Sequence, residues 1–147
     1  MFYQLRIATE DDHAAIEAFL KRGHAKTGLL NMSHTQFVVM EDANHELAGC
    51  LGLEKLNEQE GLLRSLVISD KLGQGHIVSL FQSVQTLGEK QGIASFYVVA
   101  NQMSRVDFLE LMGFEPSNEI PESMWTSQHA KDSLEMQHAV VLQKQVS

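Results

Sequence analysis

The stretch from Leu62 to Phe114 constrains the fold more than any other part of this 147-residue chain. An apolar run at 62–68 leads into a glycine loop at 72–77, with the sequence LGQGHI, and an amphipathic segment and a second apolar run at 96–100 follow. A strand, a glycine turn and a helix in this order leave backbone N–H groups free where the helix begins. Such groups bind anions, so the sequence predicts a phosphate-bearing ligand at this turn.

The composition is that of an ordinary globular domain. Hydrophobic residues make up 44% and charged residues 20%, so we expect a single domain, 1–147, with its own core. The net charge of −8 argues against a nucleic-acid surface, because neutralising phosphates requires clustered Lys and Arg. We find no run of the ~20 apolar residues that a membrane span needs. One cysteine, Cys50, excludes an internal disulfide and predicts a reducing compartment, the cytoplasm.

Hydrophobic periodicity predicts an α/β (α+β) fold with a mixed sheet. The predicted strands are 3–8, 36–41, 46–56, 62–68, 94–100 and 135–142, and the predicted helices run from Thr9 to Gly23, over 75–91 and over 103–112, with a short helix or a loop at 24–34 and a loop bracketed by Pro116 and Pro121. Since a helix joins strand 62–68 to strand 94–100, we expect these two strands to form a central parallel pair. The remaining sheet is expected to be mostly antiparallel.

The segment 61–114 resembles the GNAT N-acetyltransferases, which use acetyl-CoA. Gly73 and Gly75 match the glycines of that family's R/Q-x-x-G-x-G/A loop, and 107–114 resembles its helix ending in Gly-Phe. The chain departs from the pattern at three positions. Leu72 stands at the usual Arg, Ile77 at the last Gly/Ala, and Leu109 where many relatives carry the Tyr that protonates the leaving thiolate.

Within that family, the chain looks most like a small branch related to arsenic-resistance and amino-acid acetyltransferases. The residues that carry this narrower likeness are 63–66, Ile120-Pro121 and the tail to Leu142.

The GNAT resemblance implies a direct transfer of an acetyl group from acetyl-CoA to the amine of a small molecule. It places the cofactor along strand 62–68, which splays from strand 94–100, and over the glycine loop. The residues implied to contact the cofactor are Leu66, Val67, Ile68, Leu72, Gly73, Gln74, Gly75, His76, Ile77 and Asn101. A protonated His76, or Lys71, could replace the positive charge that is missing at Leu72.

Acetyl transfer needs a neutral amine, a stabilised oxyanion and a proton for the thiolate. Glu54 is the candidate general base, acting through water, with a solvated strand residue as the alternative. Arg64 is the candidate for binding a substrate carboxylate, with a surface arginine as the alternative. Ser104 is the hydroxyl nearest to the missing tyrosine, and helix capping is its alternative role.

Two functions remain open from the sequence. The first is an N-acetyltransferase, and the second is a catalytically weak GNAT-like module that binds a ligand or serves as a dimeric scaffold. The seven histidines form no H-x-x-H or H-E-x-x-H pattern, so we expect no metal site. Cys50 is expected to be a buried strand residue and not a nucleophile.

Overall fold

A computed structural model of the chain describes residues 3–22, 35–100, 103–117 and 139–145, together with single positions at 120, 122, 124 and 134. In chain order the elements are β1 (Gln4–Ile7), a 3-10 turn (Glu10–Asp12), α1 (His13–Arg22), β2 (Thr35–Glu41), β3 (Leu47–Lys55), β4 (Glu60–Ile68), α2 (Gln74–Lys90), β5 (Ser95–Ala100), α3 (Met103–Leu111), β6 (Glu115–Pro116) and β7 (Val140–Gln145). Among the residues described, none of these helices is long and apolar enough to cross a membrane.

The strands form one mixed sheet in the order β1-β2-β3-β4-β5-β7-β6. The pairs β1/β2, β2/β3, β5/β7 and β6/β7 are antiparallel. The pair β4/β5 is parallel, and its register joins Glu60–Leu62 to Ser95–Tyr97. The predicted fold class, a mostly antiparallel sheet with a central parallel pair, is therefore confirmed.

The chain forms two compact units, and β4 begins in one and ends in the other. The unit made of Met1–Glu54 and Arg64–Leu87 has a core in which α1 packs on β2 and β3. Its fully or nearly fully buried members are Ile16, Phe19, Leu20, Phe37, Val39 and Cys50. The 3.6-residue spacing of the apolar positions in α1 explains why one face of this helix is buried.

The other unit comprises Lys55–Leu63 and Gly88–Ser147. Leu62 and Tyr97, which are partners in the parallel pair, pack there with Met124 and Val141. The phenol of Tyr97 donates a hydrogen bond to Glu60 Oε2 at 3.0 Å. Burial, together with this bond to a carboxylate, raises the pKa of Tyr97 to about 12, so the phenol stays protonated and holds the start of β4.

Two details of the C-terminal third differ from the sequence prediction. Pro116, predicted to border a loop, is the last residue of the two-residue strand β6, which was not predicted. This is physically allowed because β6 is the last strand of the sheet, and an edge strand tolerates a residue without an N–H donor. The final strand is Val140–Gln145, where 135–142 was predicted. The predictions for Gly23 and for 24–34 lie outside the described residues.

A charged cluster ties β1 to β2 and to the start of the first helix. The Arg6 guanidinium donates to both Asp12 carboxylate oxygens at 2.7 Å and to Glu41 Oε1 at 2.8 Å. Asp12 Oδ2 also accepts the Thr9 N–H at 2.7 Å, as the acidic helix start predicts. Arg6 thereby holds the pKa of Asp12 and of Glu41 below the usual range.

We predict that this cluster makes stability depend on acid pH. A depressed carboxyl pKa contributes stability above about pH 4, and this contribution is lost as the pH falls through the folded-state pKa. The Arg6→Met variant should lose about 1 kcal/mol at neutral pH and lose less on acidification than the wild type. Urea unfolding at several pH values measures both effects.

The matched control is Lys21→Met, which removes a cation from the exposed Lys21–Glu17 pair at 3.6 Å. This variant should keep the wild-type pH dependence, because exposed pairs contribute little. Equal pH dependence in the Arg6→Met and wild-type proteins would contradict the assignment.

Candidate functional site

Strand β4 enters helix α2 through a tight turn. The Ser69 N–H donates to the Ala48 carbonyl on β3 at 2.7 Å, and the Leu72 N–H donates to the Ser69 carbonyl at 3.0 Å. The Gly73 carbonyl accepts the His76 N–H at 3.1 Å, the first bond of the helix. Gly73 is therefore the N-cap residue of α2, which is 17 residues long.

The start of α2 has open space and free donors, as the sequence predicts for an anion site. The backbone N–H groups of Gln74 and Gly75 have no acceptor among the described residues. A Cβ built at Gly73 or at Gly75 would meet nothing within 4 Å. Two N–H donors at the positive end of a long helix, with room in front of them, fit a diphosphate.

The imidazole of His76 reaches back over this turn. Its Nδ1 accepts the Gly73 N–H at 3.0 Å, which is the role that Glu or Gln has at the third helical position of a capping box. The ring also meets the Tyr3 ring edge-on, with centroids 5.0 Å apart. Neither contact was predicted, although the spacing from Gly73 to His76 is the signal of a capping box.

Leu72 does not line the loop, in contrast to its predicted role. Its side chain is 8% exposed and packs towards β3. A Cβ at Gly49 would lie 3.1 Å from Leu72 Cδ1 and 3.2 Å from Leu80 Cδ1. Since the Leu72 N–H is bonded within the turn, neither its side chain nor its N–H is available to a ligand. Ile77 is half-buried in the first turns of α2.

The predicted cofactor-binding part of β4, Leu66 to Ile68, is partly buried. Val67 packs against the core that contains Phe37 of β2. Arg64 bonds to Glu54, and Glu54 pairs with Thr35, which lies on the same face of β2 as Phe37. Arg64 and Val67 therefore lie on the same face of the sheet. Residues three apart in a regular strand point to opposite faces. The alternation of β4 is therefore interrupted between Arg64 and Val67, as at a β-bulge, which leaves backbone groups outside the ladder.

The structure brings together two residues that the sequence predicted separately. Arg64 Nη1 lies 2.7 Å from Glu54 Oε1, and the two side chains are 4% and 14% exposed. Arg64 is therefore not a surface arginine. Glu54 Oε2 has no partner among the described residues. This pair places an oriented carboxylate oxygen next to a buried guanidinium.

The remaining predicted site residues lie in several parts of the chain. Asn101 lies outside the described residues, and Ser104 lies on α3 without a described side chain. Lys71 is exposed. Burial raises the pKa of the Cys50 thiol to about 12, which removes it as a nucleophile at neutral pH. In the described ranges, no group of three or more His, Cys, Asp or Glu side chains is placed to hold a metal ion.

Solved structures of GNAT acetyltransferases share this fold. The N-acetylglutamate synthase of Neisseria gonorrhoeae, in complex with coenzyme A and N-acetyl-glutamate, matches with a TM-score of 0.78 at 17% identity over 100% of this chain. The chain spans only 36% of that enzyme. A GNAT acetyltransferase of Staphylococcus aureus matches at 0.74 and 13% identity, over 99% of this chain and 100% of that one.

A third GNAT acetyltransferase, from Elizabethkingia anophelis with acetyl-CoA bound, matches at 0.74 and 12% identity, over 98% of each chain. The chain thus has the GNAT fold, which confirms the resemblance seen in the sequence. It is also 50% identical over 144 residues to the uncharacterized protein YwlB of Bacillus subtilis, with 98% of each chain covered, and it belongs to the same family. A scan of protein-family models finds no match.

We predict that Leu72→Arg, which restores the usual GNAT residue, destabilises this protein. The new guanidinium would have to replace an apolar side chain buried against Gly49, which should cost at least about 2 kcal/mol of unfolding free energy. Leu72→Met is the control and should cost less than about 1.5 kcal/mol, because it conserves volume and polarity. Denaturant midpoints of both variants test this, and equal values would show that Leu72 is not packed as described.

Proposed function

We propose that this protein is an acetyl-CoA-dependent N-acetyltransferase that moves the acetyl group directly to the amine of a small molecule. The observation that carries the proposal is the start of α2, where open space and free N–H donors follow β4 in a GNAT fold. Relatives of the same fold have been solved with coenzyme A or acetyl-CoA bound. A fold alone does not define a function. The proposed function therefore depends on this turn and on the Arg64–Glu54 pair.

The turn would hold the cofactor through its diphosphate. Gln74 and Gly75 would donate their N–H groups, and the helix dipole would favour the negative charge. The absence of side chains at Gly73 and Gly75 lets the diphosphate approach the backbone. The irregular part of β4, with Leu66 to Ile68, would bind the pantetheine arm through backbone groups.

Acetyl-CoA would supply the activated acetyl group. Glu54 Oε2 would accept the proton that the attacking amine loses, through a water molecule, while Arg64 holds Oε1 and so fixes the carboxylate. Placing the amine next to the thioester supplies much of the rate. The thiolate needs a proton when the carbon–sulfur bond breaks, and Ser104 stays our proposed donor, with Asn101 as a proposed cofactor contact.

For the acceptor, we propose a small amine that carries a carboxylate, such as an amino acid. Arg64, whose guanidinium lies beside the proposed base, stays the proposed contact for that carboxylate. Support for the acceptor class comes from the fold relative solved with N-acetyl-glutamate. The cytoplasm is the proposed compartment, because the chain has one cysteine, Cys50, and so cannot form an internal disulfide.

A second function is favoured by two specific observations. Leu72 is buried at the position of the loop arginine, and Leu109, at the position of the tyrosine acid, is only 4% exposed. At both positions, leucine lacks the functional group of the usual residue and packs as a buried apolar side chain. The alternative is therefore a catalytically weak GNAT-like module that binds a ligand or forms a homodimeric scaffold.

We predict that acetyl-CoA stabilises the wild-type protein and does not stabilise Gly75→Val. At a hundredfold excess over Kd, binding should add about 2.7 kcal/mol, which is several degrees in Tm for a chain of this size. A Cβ at position 75 would meet nothing within 4 Å, but the branched side chain would cover the N–H donors. Thermal-shift titration of both proteins measures this.

The control is Gln82→Val, which puts the same side chain at an exposed position further along α2 and should keep the wild-type shift. A flat titration of the wild type with acetyl-CoA would contradict the cofactor assignment. A wild-type shift in Gly75→Val would mean that the phosphates are held elsewhere.

We also predict that Glu54→Gln lowers kcat and leaves acetyl-CoA binding unchanged. The amide still accepts a hydrogen bond from Arg64 but cannot take the amine proton, so kcat should fall about 100-fold or more. The kcat is measured for acetyl transfer to a panel of amino acids and of amines without a carboxylate. Comparing the two groups of acceptors also identifies the acceptor class. Glu58→Gln, in the exposed turn after β3, is the control, and equal kcat values for the two variants would exclude Glu54 as the base.

A further inference from the structure

His76 joins the turn at the start of α2 to the N-terminal segment of the chain. Its Nδ1 accepts the Gly73 N–H at 3.0 Å, and the Tyr3 ring lies against its own ring at an angle of 73°. An imidazole nitrogen that accepts a hydrogen bond carries no proton. The hydrogen bond from the Gly73 N–H therefore requires an Nδ1 without a proton.

This contact removes one donor from the proposed diphosphate site. The Gly73 N–H is bonded to the His76 ring, whereas the N–H groups of Gln74 and Gly75 have no acceptor among the described residues. Protonation of Nδ1 would turn the ring nitrogen from an acceptor into a donor and break the bond. It would free the Gly73 N–H and leave a cation beside the helix start.

We propose that His76 is a proton-linked cap of the cofactor loop. The neutral imidazole closes the loop by occupying the Gly73 N–H, and the imidazolium opens it and pairs with the diphosphate. Binding of a diphosphate is thus accompanied by proton uptake at His76. The inference rests on the proposed cofactor site and adds to it the residue that replaces the missing loop arginine.

Within the described ranges, few other titratable or charged groups lie near the His76 imidazole. Tyr3 is the titratable side chain that contacts the imidazole from the β1 side. The charged residues of the loop before α2 are Asp70 and Lys71, and both are exposed. On α2 itself, the Ser79 hydroxyl donates to the Gly75 carbonyl at 3.1 Å and carries no charge.

The test uses calorimetric titration with dephospho-CoA at acidic and at basic pH. This probe keeps the diphosphate but lacks the 3′-phosphate monoester, which itself titrates near pH 6. The variant is His76→Gln, because glutamine is a usual capping-box residue that can accept the Gly73 N–H but has no titration in this range.

The wild type should bind about fivefold more tightly at about pH 6 than at about pH 8, with proton uptake seen as a dependence of the heat on the buffer. His76→Gln should bind with no proton uptake and with affinities that agree within about twofold across the same range. If both proteins bind with the same pH dependence and the same proton uptake, the proposed role of His76 is wrong, whereas the proposed cofactor site is not contradicted. If the wild type binds at neither pH, the cofactor site itself is wrong and the cap falls with it.

Discussion

The missing side chain at Gly49 is the constraint on which the candidate site depends. Leu72 from the turn and Leu80 from α2 both approach β3 at this position, so closely that a Cβ at Gly49 would lie within 3.2 Å of each. Contact at this range fixes where the turn ends and where α2 begins, because packed side chains tolerate little displacement. The Gln74 and Gly75 N–H donors owe their position to this apolar contact. The same contact explains why position 72 holds a leucine and not a cation.

The electrostatics of the site are local and directed. Arg64 and Glu54 form a buried pair, and burial of two charges by itself is weak evidence for stability. Its effect here is to orient Glu54, since Arg64 holds one carboxylate oxygen and the other has no partner among the described residues. Arg6, Asp12 and Glu41 form a cluster of the same kind, but there the carboxylates are bonded on both sides. That cluster therefore has a structural role, whereas for Glu54 we propose a role in proton transfer.

Most of the fold could be predicted from the sequence because its elements have strong periodicity and clear turn residues. Helix α2 was predicted within one residue at each end, and the parallel pair follows from the connection that it makes. The register of β7 was not predictable, because Val140 to Gln145 alternates weakly and pairs across the sheet with β5. Among the described residues, strand β6 pairs with β7, and the local sequence contains no signal for that pairing.

The site was predicted less completely, for a related reason. The glycine loop could be predicted from its own residues, and the structure contains this loop. Whether Leu72 points to the ligand or to the core depends on Gly49, which lies 23 positions earlier in the chain. The Arg64–Glu54 pair depends on the pairing of two strands, and the His76 cap depends on the rotamer of one ring.

Amide NMR can test directly whether the start of α2 binds the diphosphate of acetyl-CoA, as we propose. In ¹⁵N-labelled protein titrated with acetyl-CoA, we expect Gly73, Gln74 and Gly75 to show the largest backbone shifts, while Gly92, beyond the last turn of α2, stays unchanged. If these three amide resonances do not shift, or shift no more than that of Gly92, the proposed diphosphate site is contradicted.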